Sequence, residues 1–196
     1  MEDKYTTIIK DKVGEGFYSE KRSKFLAFAH HVESHEQVKE IISTYRKKYY
    51  DARHVCYAYV LGADMSDFKM NDDGEPSSTA GKPIYGQIVS NGLTDILIVV
   101  VRYYGGVNLG TGGLIVAYRS AAADAIAHCD TIEKYVKENV VFTFPYVMMN
   151  GVMKIVKSMS PEIISQSFDN TCTITLSIRK SKAEELKNKL DSLSFQ

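Results

Sequence analysis

Two short stretches hold most of the side chains that could do chemistry. The acidic turn DDGEPSSTAG (72–81) carries three carboxylates, and VRYYGGVNLGTGG (101–113) carries an arginine, two tyrosines and five glycines. Arginine and tyrosine can stack on bases or anchor a protein interface, and glycine lets a partner backbone approach closely. A glycine loop that opens a helix also suits a phosphate. Phosphate, nucleic acid and protein are therefore all candidate ligands.

The glycine loop fits neither standard phosphate-binding sequence. The Walker spacing runs from Gly105 to Gly110, but Thr111 stands where the motif needs lysine. A dinucleotide fingerprint starting at Gly110 and Gly112 meets Ile115 instead of its third glycine. The segment LGTGG is loosely similar to the loop of GHMP kinases. Binding of a phosphorylated small molecule therefore remains an alternative.

Other reactive side chains match no standard catalytic or metal site. His54 and Cys56 share one face of a predicted strand, but no further ligands follow at a metal-binding spacing. The turn NDDGEP lacks the ligand register of an EF-hand. Ser77 and Ser78 stand in no G-x-S-x-G elbow. We therefore predict no catalytic residue, no metal and no cofactor, and we keep an enzyme as an alternative.

Hydrophobic periodicity places the two stretches on strands and helices. The continuous apolar run 95–104 is typical of a central strand buried on both faces. Ser34 with Gln37 predicts a capping box at the start of the first helix, and Ser77, Ser78 or Thr79 is expected to cap a short helix that follows the acidic turn. The predicted strands are 6–10, 23–32, 53–62 and 95–104, and the predicted helices are 34–50, the second half of 71–92, and 112–130.

The chain changes character near residue 133. A strand at 138–144, a helix at 145–159, a hairpin across DNT (169–171) and a helix at 181–193 follow in order. A second capping box is predicted from Ser181 to Glu184. This order predicts a ferredoxin-like βαββα domain. The domains are therefore placed at 1–133 and 134–196.

Composition narrows the function classes. Lys+Arg and Asp+Glu are both 24, so the formal net charge is zero and any binding of nucleic acid must rest on a local patch. The three cysteines show no C-x-x-C spacing and favour a reducing compartment. The apolar runs are far too short to span a membrane. We predict a cytoplasmic protein that binds no membrane. The sequence does not determine its oligomeric state.

The two stretches together resemble the paired signatures of the YigZ/IMPACT family. The matching segments are DDGEPSSTAGKPI (72–84) and VVVRYYGGVNLGTGGLIVAY (99–118), with SKFLAFAHHV (23–32) and RHVCYAY (53–59) upstream. They cover the first domain almost completely. The second domain is similar in position and pattern to the C-terminal domain of bacterial members, which resembles domain V of elongation factor G. The chain departs from the family pattern at Ser78, Val101 and Arg119.

The resemblance implies an α+β fold in both domains. The first would hold a four-stranded sheet with helices on one side, as in a ribosomal-protein domain, the fourth domain of elongation factor G and the GHMP kinases. It would contain a left-handed βαβ crossover, against the usual right-handed rule. The second would be the ferredoxin-like βαββα unit.

The resemblance also implies a candidate surface, carried over residue by residue. Arg119 adds a positive charge that the family pattern lacks. The exposed sheet of the second domain is a further candidate. The candidate residues for binding nucleic acid or a partner are Asp72, Asp73, Glu75, Lys82, Arg102, Tyr103, Tyr104, Gly105, Gly106, Gly110, Gly112, Gly113 and Arg119.

Eukaryotic relatives are associated with the regulation of translation under amino-acid starvation. From the paired motifs and the likeness to translation-factor domains, we expect a non-catalytic, translation-associated regulatory protein that binds RNA or the ribosome. The alternatives are an enzyme or sensor for a phosphorylated metabolite, and a protein–protein adaptor in stress regulation of translation. The environment of Arg102 decides how much of the surface is functional. If Arg102 forms a buried pair with Asp72, Asp73 or Glu75, the two stretches mainly hold each other.

Overall fold

The computed structural model describes residues 3–169 and 171–193. Its contacts divide these residues into two compact units. One unit spans Tyr5–Lys134, and the other joins residues 3 and 4 to the described residues from 135 onward. The division of the chain into domains at 1–133 and 134–196 stays a prediction. None of the described helices combines the length and apolar character needed to cross a membrane.

The Tyr5–Lys134 unit is built on a five-stranded antiparallel sheet in the order β2-β3-β6-β4-β5. A separate two-stranded sheet pairs β1 with β7. As predicted, the apolar run of β6 lies at the centre, and its residues 96–102 are buried. The strands are β1 Lys4–Ile8, β2 Gly14–Glu20, β3 Ser23–His31, β4 His54–Leu61, β5 Asp67–Asn71, β6 Ile96–Tyr103 and β7 Thr131–Tyr135.

Helices cover both faces of this sheet. The helices are α1 His35–Lys48, α2 Gly81–Ser90 and α3 Gly110–Ala127. Val38 and Ile42 of α1 pack against the face that carries Val55 and Tyr57 of β4, whereas α2 and α3 pack against the face that carries Cys56. The α+β class is confirmed, but the expected count of four strands and the expected one-sided arrangement of helices were wrong.

The strand order requires one left-handed crossover. β3 and β4 both pair antiparallel with the intervening β6, so they are parallel and are joined through α1. β5 and β6 both pair antiparallel with β4, so they are parallel and are joined through α2. If the sheet is rotated by 180° about the axis perpendicular to its plane, β5 and β6 take the strand direction of β3 and β4, and the step from β5 to β6 runs the same way across the sheet as the step from β3 to β4. Because α1 and α2 lie on opposite faces, the crossovers have opposite hands, and one of them is left-handed, as the resemblance implies.

The first predicted capping box is present in altered form. Ser34 is the N-cap of α1, and its Oγ accepts a hydrogen bond from the Gln37 amide at 3.3 Å. The Gln37 side chain accepts from the amide of Glu33, at 2.7 Å, rather than from that of Ser34. Both bonds satisfy amides at or before the first turn, so α1 begins where the sequence predicts.

The expected cap of α2 was wrong. Its N-cap residue is Ala80, which offers no side-chain hydrogen bond. The carboxylate of Asp72 acts instead: Oδ1 accepts from the amides of Ala80 at 3.1 Å and Gly81 at 2.8 Å, and Oδ2 accepts from Ser78 at 2.9 Å. A carboxylate at a helix N-terminus also interacts favourably with the helix dipole. Asp72 therefore fixes the acidic turn to α2.

The substitution Asp72→Ala should remove all three of these hydrogen bonds. We expect the free energy of unfolding to fall by about 2 kcal/mol, because capping amides lose their acceptor. Urea denaturation followed by circular dichroism measures this change. Asp72→Asn keeps one acceptor oxygen and should lose less. An Asp72→Ala variant as stable as the wild type would contradict this role.

The second unit has the predicted βαββα order. Its elements are β8 Lys137–Phe144, a 3-10 turn at Tyr146–Met148, α4 Met149–Met159, β9 Glu162–Phe168, β10 Cys172–Arg179 and α5 Lys180–Ser192. The sheet order is β8-β10-β9, and both pairs are antiparallel. The predicted hairpin is confirmed by the pairing of β9 with β10. Its turn at 169–171 includes Asn170, which lies outside the described residues.

The predicted Ser181–Glu184 capping box was wrong. The N-cap of α5 is Arg179, and the Ser181 amide donates to Asp3 Oδ2 at 2.9 Å. Arg179 Nε and Nη2 donate to the same carboxylate, at distances down to 2.6 Å. The hydrogen bonds from Arg179 hold the pKa of Asp3 well below its usual range. Asp3 therefore ties the start of the chain to α5.

This pKa shift gives an acid-sensitive contribution to stability. Because the pKa of Asp3 is lower in the folded chain, its contribution is present above the ordinary pKa of 3.8 and is lost as the pH falls below it. Urea denaturation at several pH values between 2.5 and 6 should show a smaller acid-induced loss for Asp3→Asn than for the wild type. Asp191→Asn, which removes an exposed α5 carboxylate, should keep the wild-type profile. Identical profiles for all three proteins would refute this assignment.

Candidate functional site

The acidic turn and the end of β6 meet in a buried ion pair. Arg102 Nη1 donates to Glu75 Oε1 at 2.6 Å, and the two side chains are only 6% and 3% exposed. The turn directs Glu75 inward through Asp73 and Gly74, which have φ values of 42° and 85°. Such values are left-handed and favour glycine. Arg102 is held by β3 and β4, which pair with β6 on both sides.

Neutral donors complete the surroundings of the pair. Tyr118 of α3 donates from its hydroxyl to Glu75 Oε1 at 2.7 Å, and Cys56 Sγ lies 3.3 Å from that hydroxyl. Burial raises the pKa of both the Tyr118 hydroxyl and the Cys56 thiol. Both groups therefore stay protonated at neutral pH. The Tyr118 hydroxyl donates to Glu75 and the Cys56 thiol donates to Tyr118, and neither group is activated as a nucleophile.

Arg102 is enclosed on its remaining sides. Nη2 donates to Ser23 Oγ at 3.4 Å, and the guanidinium carbon lies 5.5 Å from the ring centroids of both Phe25 and Tyr104. Only Nε of this guanidinium has no hydrogen-bond partner among the described residues. Arg102 is therefore not free to stack on a base, and the two signature stretches hold each other through its pair with Glu75.

Removing one member of this pair should leave a buried, uncompensated charge. We expect Arg102→Met and Glu75→Gln each to lower the free energy of unfolding by about 3–5 kcal/mol. The double variant should lose less free energy of unfolding than the two single variants together, because it leaves neither charge buried without its partner. Urea denaturation of the four proteins forms the double-mutant cycle.

The exposed neighbour Arg53 provides the control. Arg53→Met should change the free energy of unfolding by less than about 0.5 kcal/mol, as is usual for a surface substitution. If Arg102→Met costs no more than Arg53→Met, the pair does not stabilise the fold.

A cleft of about 450 Å³ opens beside the pair. Its lining includes Arg53 and His54 at the start of β4, Tyr104 after β6, and Gly110 and Thr111 at the start of α3. The register explains this convergence, since His54 pairs with Arg102 and the start of β4 therefore lies beside the end of β6. Glu75 and Arg102 line the same cleft.

His54 is oriented by the acidic turn. Its Nδ1 lies 2.7 Å from the Asp73 carbonyl oxygen, so this nitrogen carries a proton and donates it. Its Nε2 lies 3.7 Å from Glu75 Oε2, and the side chain is 13% exposed. The imidazole can therefore present Nε2 to a ligand in the cleft as well as to Glu75.

The wall of the cleft at α3 is electropositive. The N-cap residue of α3, Leu109, provides no side-chain acceptor for the first-turn amides. These amides carry the positive end of the helix dipole. The exposed Arg53 side chain adds a charge and has no ion-pair partner among the described residues. Because Arg102 already compensates Glu75, the cleft as a whole suits an anion such as phosphate.

The acidic residues that the sequence selected serve the fold. Asp72 caps α2, Glu75 pairs with Arg102, and Asp73 Oδ2 accepts from the Val55 amide at 2.7 Å. All three carboxylates are therefore engaged within the unit. Of these three, only Glu75 lines the cleft.

The tyrosines and glycines separate into different roles. The Tyr103 hydroxyl donates to Asp51 at 2.9 Å, and its ring belongs to the cluster under α1, on the other face of the sheet. Tyr104 is 44% exposed and lines the cleft. A Cβ at Gly105 would clash with the backbone of Arg22 and Ser23, so Gly105 serves packing.

The remaining candidates are dispersed. Gly106 and Gly110 have φ values of 87° and 72°, and only Gly110 lines the cleft. Gly112 has open space around its Cβ position, and Gly113 lies against Leu109. Lys82 and Arg119 do not line the cleft; they lie in a groove between α2 and α3.

Sequence reasoning missed Arg53 and Thr111 as site residues and considered His54 only for other chemistry. The segment RHVCYAY was available as a signal, because its first two residues precede or begin β4. Pairing that strand antiparallel with 95–104 would have placed Arg53 and His54 beside Arg102. Thr111 was seen only as a mismatch to lysine.

Comparison with known proteins identifies the first unit. The model of the Impact N-terminal domain matches residues 21–126. The IMPACT family member YigZ of Escherichia coli is 33% identical over 176 residues, which cover 89% of this chain and 86% of the relative. A crystal structure of a hypothetical protein aligns with TM-score 0.76 and 30% identity, over 99% of this chain and 94% of that one. The two-domain translational regulator Yih1 aligns at 21% identity over 63% of this chain and 49% of its own, with TM-score 0.40, a likeness too weak to transfer anything.

Proposed function

Because the chain belongs to the IMPACT family, we propose that it is a non-catalytic regulator of translation that binds RNA or the ribosome through the cleft beside α3. The translational role rests on family membership. The binding role rests on the cleft, where Arg53, the first-turn amides of α3 and the half-exposed ring of Tyr104 surround a charge-compensated pair.

These groups suit a nucleotide unit of RNA. Arg53 and the α3 amides bind a phosphate, and a base stacks on the Tyr104 ring. Stacking on an aromatic side chain contributes about 1–3 kcal/mol per base without demanding a particular sequence. Since the net charge of the chain is zero, binding depends on this local site and is modest and salt-dependent.

The experiment is co-sedimentation with ribosomes and gel-shift titration of single-stranded and structured RNA, each at low and moderate salt. Arg53→Ala should weaken binding about equally for all RNA sequences and lower the salt slope by about one. Tyr104→Ala should weaken binding by about 1–3 kcal/mol. Lys39→Ala, which removes an exposed charge from α1, is the matched control and should bind as the wild type does.

Absence of the wild-type protein from every ribosomal fraction, together with no RNA shift, would overturn the proposal. Equal losses for Arg53→Ala and Lys39→Ala would move the binding site away from the cleft.

A phosphorylated small molecule is the second candidate, because a cleft of about 450 Å³ lies within the range of small-molecule sites. A thermal-shift screen with inorganic phosphate, nucleotides and sugar phosphates, with and without Mg²⁺, separates it from RNA binding. A ligand at 100 times its Kd should add about 2.7 kcal/mol of stability. Stabilisation by one metabolite that is lost in Arg53→Ala, without any RNA shift, would favour an enzyme or sensor.

A further inference from the structure

The Tyr5–Lys134 unit has a second concave surface, separate from the cleft. It is a groove of about 770 Å³ between the outer sides of α2 and α3. It shares no lining residue with the cleft. Its lining includes Lys82, Pro83, Tyr85 and Val89 of α2, together with Gly86, and Ile115 and Arg119 of α3.

The walls of the groove are largely apolar. Val89 of α2 is 42% exposed, and Ile115 of α3 is partly exposed. The residues of α2 and α3 that pack on the sheet are different ones, such as Ile84, Ile88 and Tyr118. Val89 and Ile115 belong to no core cluster, and water contacts both in the isolated chain, whereas Pro83 is buried and Tyr85 packs against the core.

Gly86 is not explained by the chain itself. It lies inside α2, where glycine is less favourable than alanine. Its backbone is not in the left-handed region, and a Cβ there would meet nothing within 4 Å. Neither backbone conformation nor packing therefore requires glycine. Because Gly86 has no side chain, the space beside α2 stays open at this position, and a partner's backbone could approach the helix closely there.

The groove also carries uncompensated positive charge. Lys82 and Arg119 are exposed, and neither side chain has an ion pair or hydrogen bond within the described ranges. No carboxylate lines the groove as described. A partner that fills the groove therefore gains from carrying acidic side chains where it faces these two residues.

We propose that this groove docks an acidic amphipathic helix of a partner protein. The apolar face of that helix lies between α2 and α3, and its Asp or Glu side chains face Lys82 and Arg119. Helix-in-groove recognition uses apolar anchors at i, i+3, i+4 and i+7, which matches two apolar helix flanks. RNA fits this groove less well, because protein surfaces that bind nucleic acid are more polar and more strongly basic. A lipid surface fits less well too, because the apolar side chains lie inside a groove rather than on a protruding face.

The test starts from a displayed library of amphipathic 18-residue helices, in which the polar face is randomised among Asp, Glu, Lys and Arg, selected against the full chain. Selected peptides should be acidic. One synthesised peptide should shift the amide NMR signals of residues 82, 84–90 and 112–119. Its affinity is then measured by fluorescence anisotropy.

Three variants make the outcome specific to the groove. Gly86→Leu, which fills the groove, should weaken binding at least tenfold. Gly86→Ala should raise the midpoint of thermal unfolding and also weaken binding, which separates groove occupancy from damage to the fold. The double reversal Lys82→Glu/Arg119→Glu should abolish binding of the acidic peptide. Lys39→Glu on α1, the matched charge reversal, should leave binding unchanged.

The proposal fails if selection yields no binders or mainly basic ones, or if Gly86→Leu and the double reversal bind like the wild type. It also fails if anionic vesicles or RNA, rather than the peptide, produce the shifts at residues 82, 84–90 and 112–119. The RNA test of the cleft uses different residues, so either result can fail alone.

Discussion

The buried pair between Glu75 and Arg102 is the interaction on which the rest of the first unit depends. It joins two stretches whose paired residues are 27 positions apart. Burying both charges is costly, and the cost is offset only by good geometry and further hydrogen bonds. Tyr118 supplies one such bond from α3, and Ser23 supplies another from β3. The same Ser23 hydroxyl accepts from the Gly105 amide. The position of the glycine loop therefore follows from how Arg102 is buried.

Two helices outside this pair depend on carboxylates that lie far from them in sequence. Asp72 caps α2 from the acidic turn, and Asp3 caps α5 from the start of the chain. Neither helix has a useful acceptor at its own N-cap residue. In both cases the cap does more than satisfy amides, because it also fixes a segment without regular structure of its own. The first amides of α2 and α5 therefore hold the acidic turn and the residue before β1 in place.

The sequence allowed prediction of elements whose signals are local. The spacing of apolar residues along the chain predicts three elements directly: the apolar run of β6, the amphipathic α1 and the alanine-rich α3. β2 was missed because Gly14 and Gly16 suggest a turn, whereas they are strand positions where a Cβ would collide with α3. β5 was missed because its residues are largely exposed at the sheet edge. The burial of Arg102 had no local signal either, since an arginine that follows an apolar run usually reaches solvent.

The same pair also determines what the neighbouring cleft can bind. An ionised Glu75 without a partner would repel an anion, and an unpaired Arg102 would itself be the strongest anion ligand. Because the two charges compensate each other, the polarity of the cleft is set by weaker groups at its wall, namely Arg53 and the first-turn amides of α3. Cys56 and Tyr118 stay protonated beneath the pair, so the nearby thiol and phenol supply no nucleophile. What remains at the wall of the cleft is one exposed arginine, the first-turn amides of α3 and one half-exposed ring, which are groups that can contact an anion without forming a covalent bond.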